Sequence, residues 1–134
     1  MLLNFIRATC AIGLAVAATL PAAASPSDGE REQALDIYRH IVEMDTSIEG
    51  GRVPEMAKYL AKTFRDGGFA GDDVALIPFD KTAALVVRYR GDGSGGRPIL
   101  LMAHMDVVPA HREDWERDPF KLIEENGYFF ARGS

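Results

Sequence analysis

The chain has 134 residues, 47% of them hydrophobic and 26% charged, with a formal net charge of −5. That balance suits a soluble chain of at most one small domain. It excludes a nucleic-acid surface built on a basic stripe, and no apolar run reaches the 18 residues of a membrane span.

The first segment, MLLNFIRATCAIGLAVAATLPAAAS, has one arginine, no acidic residue and an apolar stretch over residues 8–20. Small residues follow at 21–24. This order is that of a secretory signal peptide, with cleavage expected after Ala24. The reading divides the chain into 1–24, signal peptide, and 25–134, the mature part. It predicts a secreted or periplasmic product with no membrane contact after cleavage. Cys10 lies inside the apolar stretch, so cleavage would leave no cysteine and no thiolate chemistry.

Ser27 followed by Glu30 is a capping-box pattern and predicts a helix running to about Asp45. Ala34, Leu35, Ile37, Tyr38, Ile41 and Val42 form its apolar stripe, and His40 falls off that stripe into solvent. TSIEGG is a loop. Pro54 opens a second helix whose predicted buried face is Val53, Met56, Ala57, Leu60 and Phe64, ended by Gly67-Gly68. VALIPF reads as a short strand. AALVVRYRG reads as a half-exposed one, with Leu85, Val87 and Tyr89 on one side and Arg88 and Arg90 on the other. GDGSGG is a flexible turn, because neither the Lys-Ser/Thr nor the helix of a phosphate-binding loop follows it.

The run over residues 99–108 is apolar on both faces except at His104 and Asp106. It predicts a strand in the middle of a sheet covered on both sides. Trp115, Pro119 and Phe120 belong to a loop packed on the domain, and Asn126-Gly127 is a strong hairpin signal. The order helix, helix, three strands, hairpin predicts an α/β fold with a mixed sheet flanked by helices.

In a strand, residues two apart share a face. His104 and Asp106 therefore project together, about 7 Å apart along the backbone. They stand near the carboxyl end of the run, where such folds place ligand sites. A buried carboxylate requires a partner, and a metal ion or the imidazole would serve. A core histidine beside an aspartate that opens a turn is the commoner arrangement at this spacing. His111 and the acidic run of Glu113, Asp114, Glu116 and Asp118 read as solvated loop residues.

HMDVVP, preceded by ILLMA and followed by WERDPF and NGYFFARGS, resembles the zinc-dependent aminoacylase and carboxypeptidase family. That family includes acetylornithine deacetylase and succinyl-diaminopimelate desuccinylase. MDTS and VPEMAKYLAKTFRDGGF are similar to its amino-terminal part. The resemblance implies the amino-terminal portion of a dinuclear zinc peptidase domain that hydrolyses peptide or N-acyl amino acid amide bonds. It implies that His104 ligates one of two zinc ions and that Asp106 steers that histidine and sets the metal's acidity as a catalytic residue. A zinc-bound water would be the attacking group.

Ala131 stands where the family often has glycine. The resemblance places the bridging aspartate two positions beyond Ser134, and the general base and remaining ligands later still. One recognisable ligand cannot build a two-metal site. The expectation is thus a truncated, incomplete amino-terminal fragment, with any homodimer formed only through a missing domain. Its partner in the full-length protein would be a small peptide or N-acyl amino acid. The competing expectation is a non-catalytic α/β remnant.

Overall fold

The computed structural model describes residues 25–134. The proposed signal peptide, its cleavage site and Cys10 lie outside the described residues. Helix α1 spans Asp28–Val42 and starts on the expected capping box: the Ser27 hydroxyl accepts from the Glu30 N–H, and the Glu30 carboxylate accepts from the Ser27 N–H at 2.7 Å. The helix ends before Asp45, because the Glu43 N–H still reaches the Arg39 carbonyl whereas the Met44 N–H turns back to Ile41. That early exit buries Met44, Thr46 and Ser47 in the following loop. Of the predicted apolar stripe, only Val42 is fully buried.

The loop is self-bonded. Asp45 Oδ1 accepts from the Ser47 N–H at 3.0 Å, and Ser47 Oγ accepts from the Gly50 N–H at 3.1 Å. A Cβ at Gly50 would overlap the carboxyl carbon and carbonyl oxygen of Asp45. Gly50→Ala is therefore expected to destabilise the chain by about 1–3 kcal/mol, since the crowded atoms are backbone as well as side chain. Urea denaturation at unchanged m-value checks this, and an unchanged midpoint would refute it.

Helix α2, Val53–Asp66, carries Pro54 in its first turn and ends at Gly67. It buries Val53, Met56, Ala57 and Ala61 against a hairpin of β1 (Val74–Phe79) and β2 (Thr82–Val87). The small Ala61 takes the covered position; Leu60 is only half-buried and Phe64 is exposed, packing edge-on with Phe69 at 5.2 Å. Each larger apolar side chain on that face contributes roughly 1.5–3 kcal/mol when fully buried. The hairpin pairs antiparallel from Val74↔Val87 to Phe79↔Thr82, and Asp80 in the turn takes a positive φ of 49°. Strand β2 turns Ala83, Leu85 and Val87 inward, but stops before Tyr89, which is 87% exposed.

Asp73 anchors the hairpin's open end. Its carboxylate accepts from Arg90 Nε at 2.8 and 3.0 Å and lies 3.7 Å from the Arg88 guanidinium, while its carbonyl accepts from the Arg88 N–H. The hydrogen bonds from Arg90 hold its carboxyl below the ordinary aspartate range. The carboxylate's contribution is therefore full above the ordinary aspartate value and is lost as pH falls through the lowered folded one.

Residues 98–111 adopt no strand, a departure from the expected central position. Among the described residues, positions 98–110 make no backbone–backbone hydrogen bond. Ile99, Leu100, Leu101 and Met102 are 80–89% exposed. The physical reason is that a strand apolar on both faces becomes buried only between two neighbours, and the described residues supply neither. The mixed sheet is thus not assembled: the strands form two separate antiparallel pairs. Helices with small antiparallel sheets make an incomplete α/β arrangement.

The second pair, β3 (Ile123–Glu125) and β4 (Tyr128–Phe130), turns through Asn126-Gly127 as expected, with both residues at positive φ. It docks on α1 through Tyr38 and Phe129, whose rings meet edge-on at 5.4 Å, and through Arg39, which donates to the Leu122 carbonyl. No helix among the described residues is long and apolar enough to cross a membrane.

Candidate functional site

His104 and Asp106 sit together on the unpaired segment, as the spacing requires. Met105 and Val107 are half-buried, whereas His104, Asp106 and Val108 are exposed. The alternation of an extended chain thus puts the imidazole and the carboxylate on the open face and the aliphatics on the inner one. Neither group is buried: their side chains are 82% and 72% exposed. The expected cost of an enclosed carboxylate therefore does not arise.

His104 Nδ1 lies 2.7 Å from the backbone carbonyl of Asp106 and 3.5 Å from its Oδ1. A carbonyl oxygen only accepts, so Nδ1 must carry the proton. That tautomer leaves the Nε2 lone pair free to bind a metal. Metal-ligating histidines are commonly prepared this way, with the second nitrogen donating to an acceptor. The acceptor is chiefly the main chain of Asp106; the carboxylate, the partner foreseen from the sequence, stands farther off.

The donor chemistry of His104 thus fits one ligand position for zinc. The described residues hold no cluster of three or more His, Cys, Asp or Glu side chains able to enclose an ion. His111, expected in solvent, is exposed and stands 4.0 Å from Glu49. His40 is exposed as expected, but its ring stacks on Tyr59 at 3.8 Å.

A cleft of about 720 Å³ opens behind the pair. The aliphatic and aromatic side chains of α1, α2 and β2 line it, together with Leu101, Met105, His104, Asp106 and Arg132. Two polar groups here were missed in the sequence. Thr46 is 1% exposed and its Oγ1 has no partner among the described residues. No signal marked this threonine beyond its place in TSIEGG, read as a loop, and in the MDTS stretch of the resemblance. Arg132 was noted only as a motif letter. Its Nη2 donates to the Pro109 carbonyl at 2.9 Å, its N–H donates to the Pro119 carbonyl at 2.6 Å, and its guanidinium stacks 4.9 Å from the Trp115 ring centre. Its position just after the hairpin, next to Gly133, was the available hint.

Comparison with known proteins finds similarity that includes this segment and, for one relative, most of the chain. The family model for Peptidase family M20/M25/M40 matches residues 100–134. The chain is 47% identical over 45 residues to the mouse (Mus musculus) N-fatty-acyl-amino acid synthase/hydrolase PM20D1, a match covering 34% of this chain and 9% of that protein. It is 32% identical over 109 residues to acetylornithine deacetylase of Vibrio campbellii, covering 81% of this chain and 27% of the deacetylase. The matches thus span about a quarter or less of these relatives' lengths. No solved structure matches the chain.

Proposed function

From a chain related to Peptidase family M20/M25/M40 through residues 100–134, we propose a role as the amino-terminal part of a metal-dependent amide hydrolase. The substrate class is a peptide, as the family description suggests, or an N-acyl amino acid, the kind of compound for which the two relatives are named. Zinc is the proposed metal, with His104 as one ligand through Nε2 and Asp106 as the residue that orients it. When bound, the metal supplies Lewis acidity toward the amide carbonyl and toward water. The chain's own contribution is to hold the imidazole in its Nδ1–H form and present Nε2 on an open face. The proposal extends to export through the leader and to small-molecule rather than nucleic-acid partners.

The observation that carries this reading is the 2.7 Å contact from His104 Nδ1 to the Asp106 carbonyl. With a single ligand, affinity should be modest and turnover absent, because a catalytic zinc normally takes three protein ligands and a water. Titrating this chain with zinc while following its three histidines by NMR tests the assignment. His104 should respond first, at the Nε2 side, and the chain alone should not hydrolyse N-acetylornithine. Zinc responses confined to His40 and His111, or two ions held tightly per chain, would overturn it.

A further inference from the structure

The segment that bears His104 and Asp106 has no strand neighbour, yet its two polar side chains share one defined face. What holds it is found at its carboxyl end. Gly133, at a φ of +82°, packs so close that a Cβ there would stand 3.0 Å from Val107 Cγ1. Next to it, Arg132 donates to the carbonyl of Pro109 and stacks on Trp115. Val107 and Pro109 alternate with Asp106 and Val108, so both contacts grip the inner side of the segment. A second arginine ties the same loop to the same hairpin: Arg117 lies 4.4 Å over the Phe130 ring and pairs with Glu125.

We propose that Arg132 and Gly133 form a clasp on Val107 and Pro109 that positions the His104–Asp106 pair, making Arg132 a positioning residue for the metal ligand. With the inner face pinned, the backbone from residue 104 to 109 keeps one extended path. The Asp106 carbonyl then stays within reach of Nδ1, and Nε2 stays free. Without the clasp, no other hydrogen bond among the described residues ties the backbone of residues 104–109 to the rest of the chain, and the imidazole returns toward the Nε2–H form that a free ring prefers. The guanidinium suits this task because its planar fork can stack on an indole and donate in the ring plane at the same time. The significance of the clasp for catalysis rests on the proposed function, but its geometry does not.

The test uses the chain as it exists and needs no activity. Trp115 is the sole tryptophan, so its emission reports on the clasp directly. The tautomer of His104 is read from its ring ¹⁵N shifts with the imidazoles neutral, against His40 and His111 as internal controls. Arg132→Met is expected to red-shift the Trp115 emission and move His104 from Nδ1–H to Nε2–H. Helical circular dichroism and the other two histidines should stay unchanged. Zinc binding followed at His104 should weaken roughly tenfold or more, the range seen when a ligand's outer support is removed. An unchanged His104 tautomer in folded Arg132→Met would overturn the proposal. Should that variant lose its helical signal, Arg132→Lys decides, since an ammonium keeps the charge but not the flat stacking fork. A shift in the same direction supports the clasp, and none refutes it. Absence of any zinc response in the unaltered chain would count against the metal reading while leaving the tautomer result to judge the clasp.

Discussion

His104→Ala is expected to abolish metal-dependent hydrolysis in a chimera where this chain replaces the aligned 27% of the Vibrio campbellii acetylornithine deacetylase. The argument rests on the imidazole's geometry. Its Nδ1 is committed to the Asp106 carbonyl, so Nε2 is the ring nitrogen left to donate a lone pair. Removing a residue that merely supports a ligand costs about 10–100-fold in affinity or activity, so removing the ligand itself should cost on the order of 100-fold or more. Asp106→Ala should fall nearer the lower range, because its carbonyl remains in place and only the carboxylate at 3.5 Å is lost. Both side chains are exposed, so neither change should alter the thermal unfolding of the metal-free chimera. Deacetylation of N-acetylornithine at saturating zinc measures both. An active chimera whose turnover survives His104→Ala would remove the ligand assignment.

The isolated chain is expected to self-associate through residues 99–102, and Leu100→Lys with Met102→Lys should weaken that association about tenfold or more. Four consecutive large apolar side chains lie 80–89% exposed on a backbone whose N–H and C=O groups lack partners among the described residues. An extended, apolar, unpaired edge is a template for another chain, and charge placed on it is the usual protection. Leu100 and Met102 share a face in an extended segment, so one pair of substitutions blocks that face without touching α2 or its hairpin. Light scattering at equal concentration, with a hydrophobic dye as a second probe, follows the change. A monomeric unaltered chain that ignores the dye would refute the expectation.

The elements whose partners lie close in sequence were legible. The capping box at Ser27 and Glu30, Pro54 in the first turn of α2, the VALIPF strand and the Asn126-Gly127 hairpin all depend on neighbours a few residues away. The segment over residues 99–108 was read correctly as apolar on both faces and incorrectly as paired. Its composition states what it would bury, but only tertiary neighbours decide whether it does so. The same limit applies to Thr46 and Arg132, whose surroundings are set by contacts far along the chain. The pairing of His104 with Asp106 followed from the two-residue period of extended backbone. That the main-chain carbonyl, rather than the carboxylate, would be the nearer acceptor could not follow from residue types.

Helix α2 and the hairpin it covers have a consequence for the order in which the chain acquires structure. Their contacts, the Arg65 bond to the Val74 carbonyl and the Asp73–Arg90 pair all join residues within one continuous stretch. Little loop-closure entropy must be spent before those contacts reward it. This stretch should therefore condense early and open last. The docking of the Asn126-Gly127 hairpin on α1, which joins residues some eighty positions apart, should come late and loosen first.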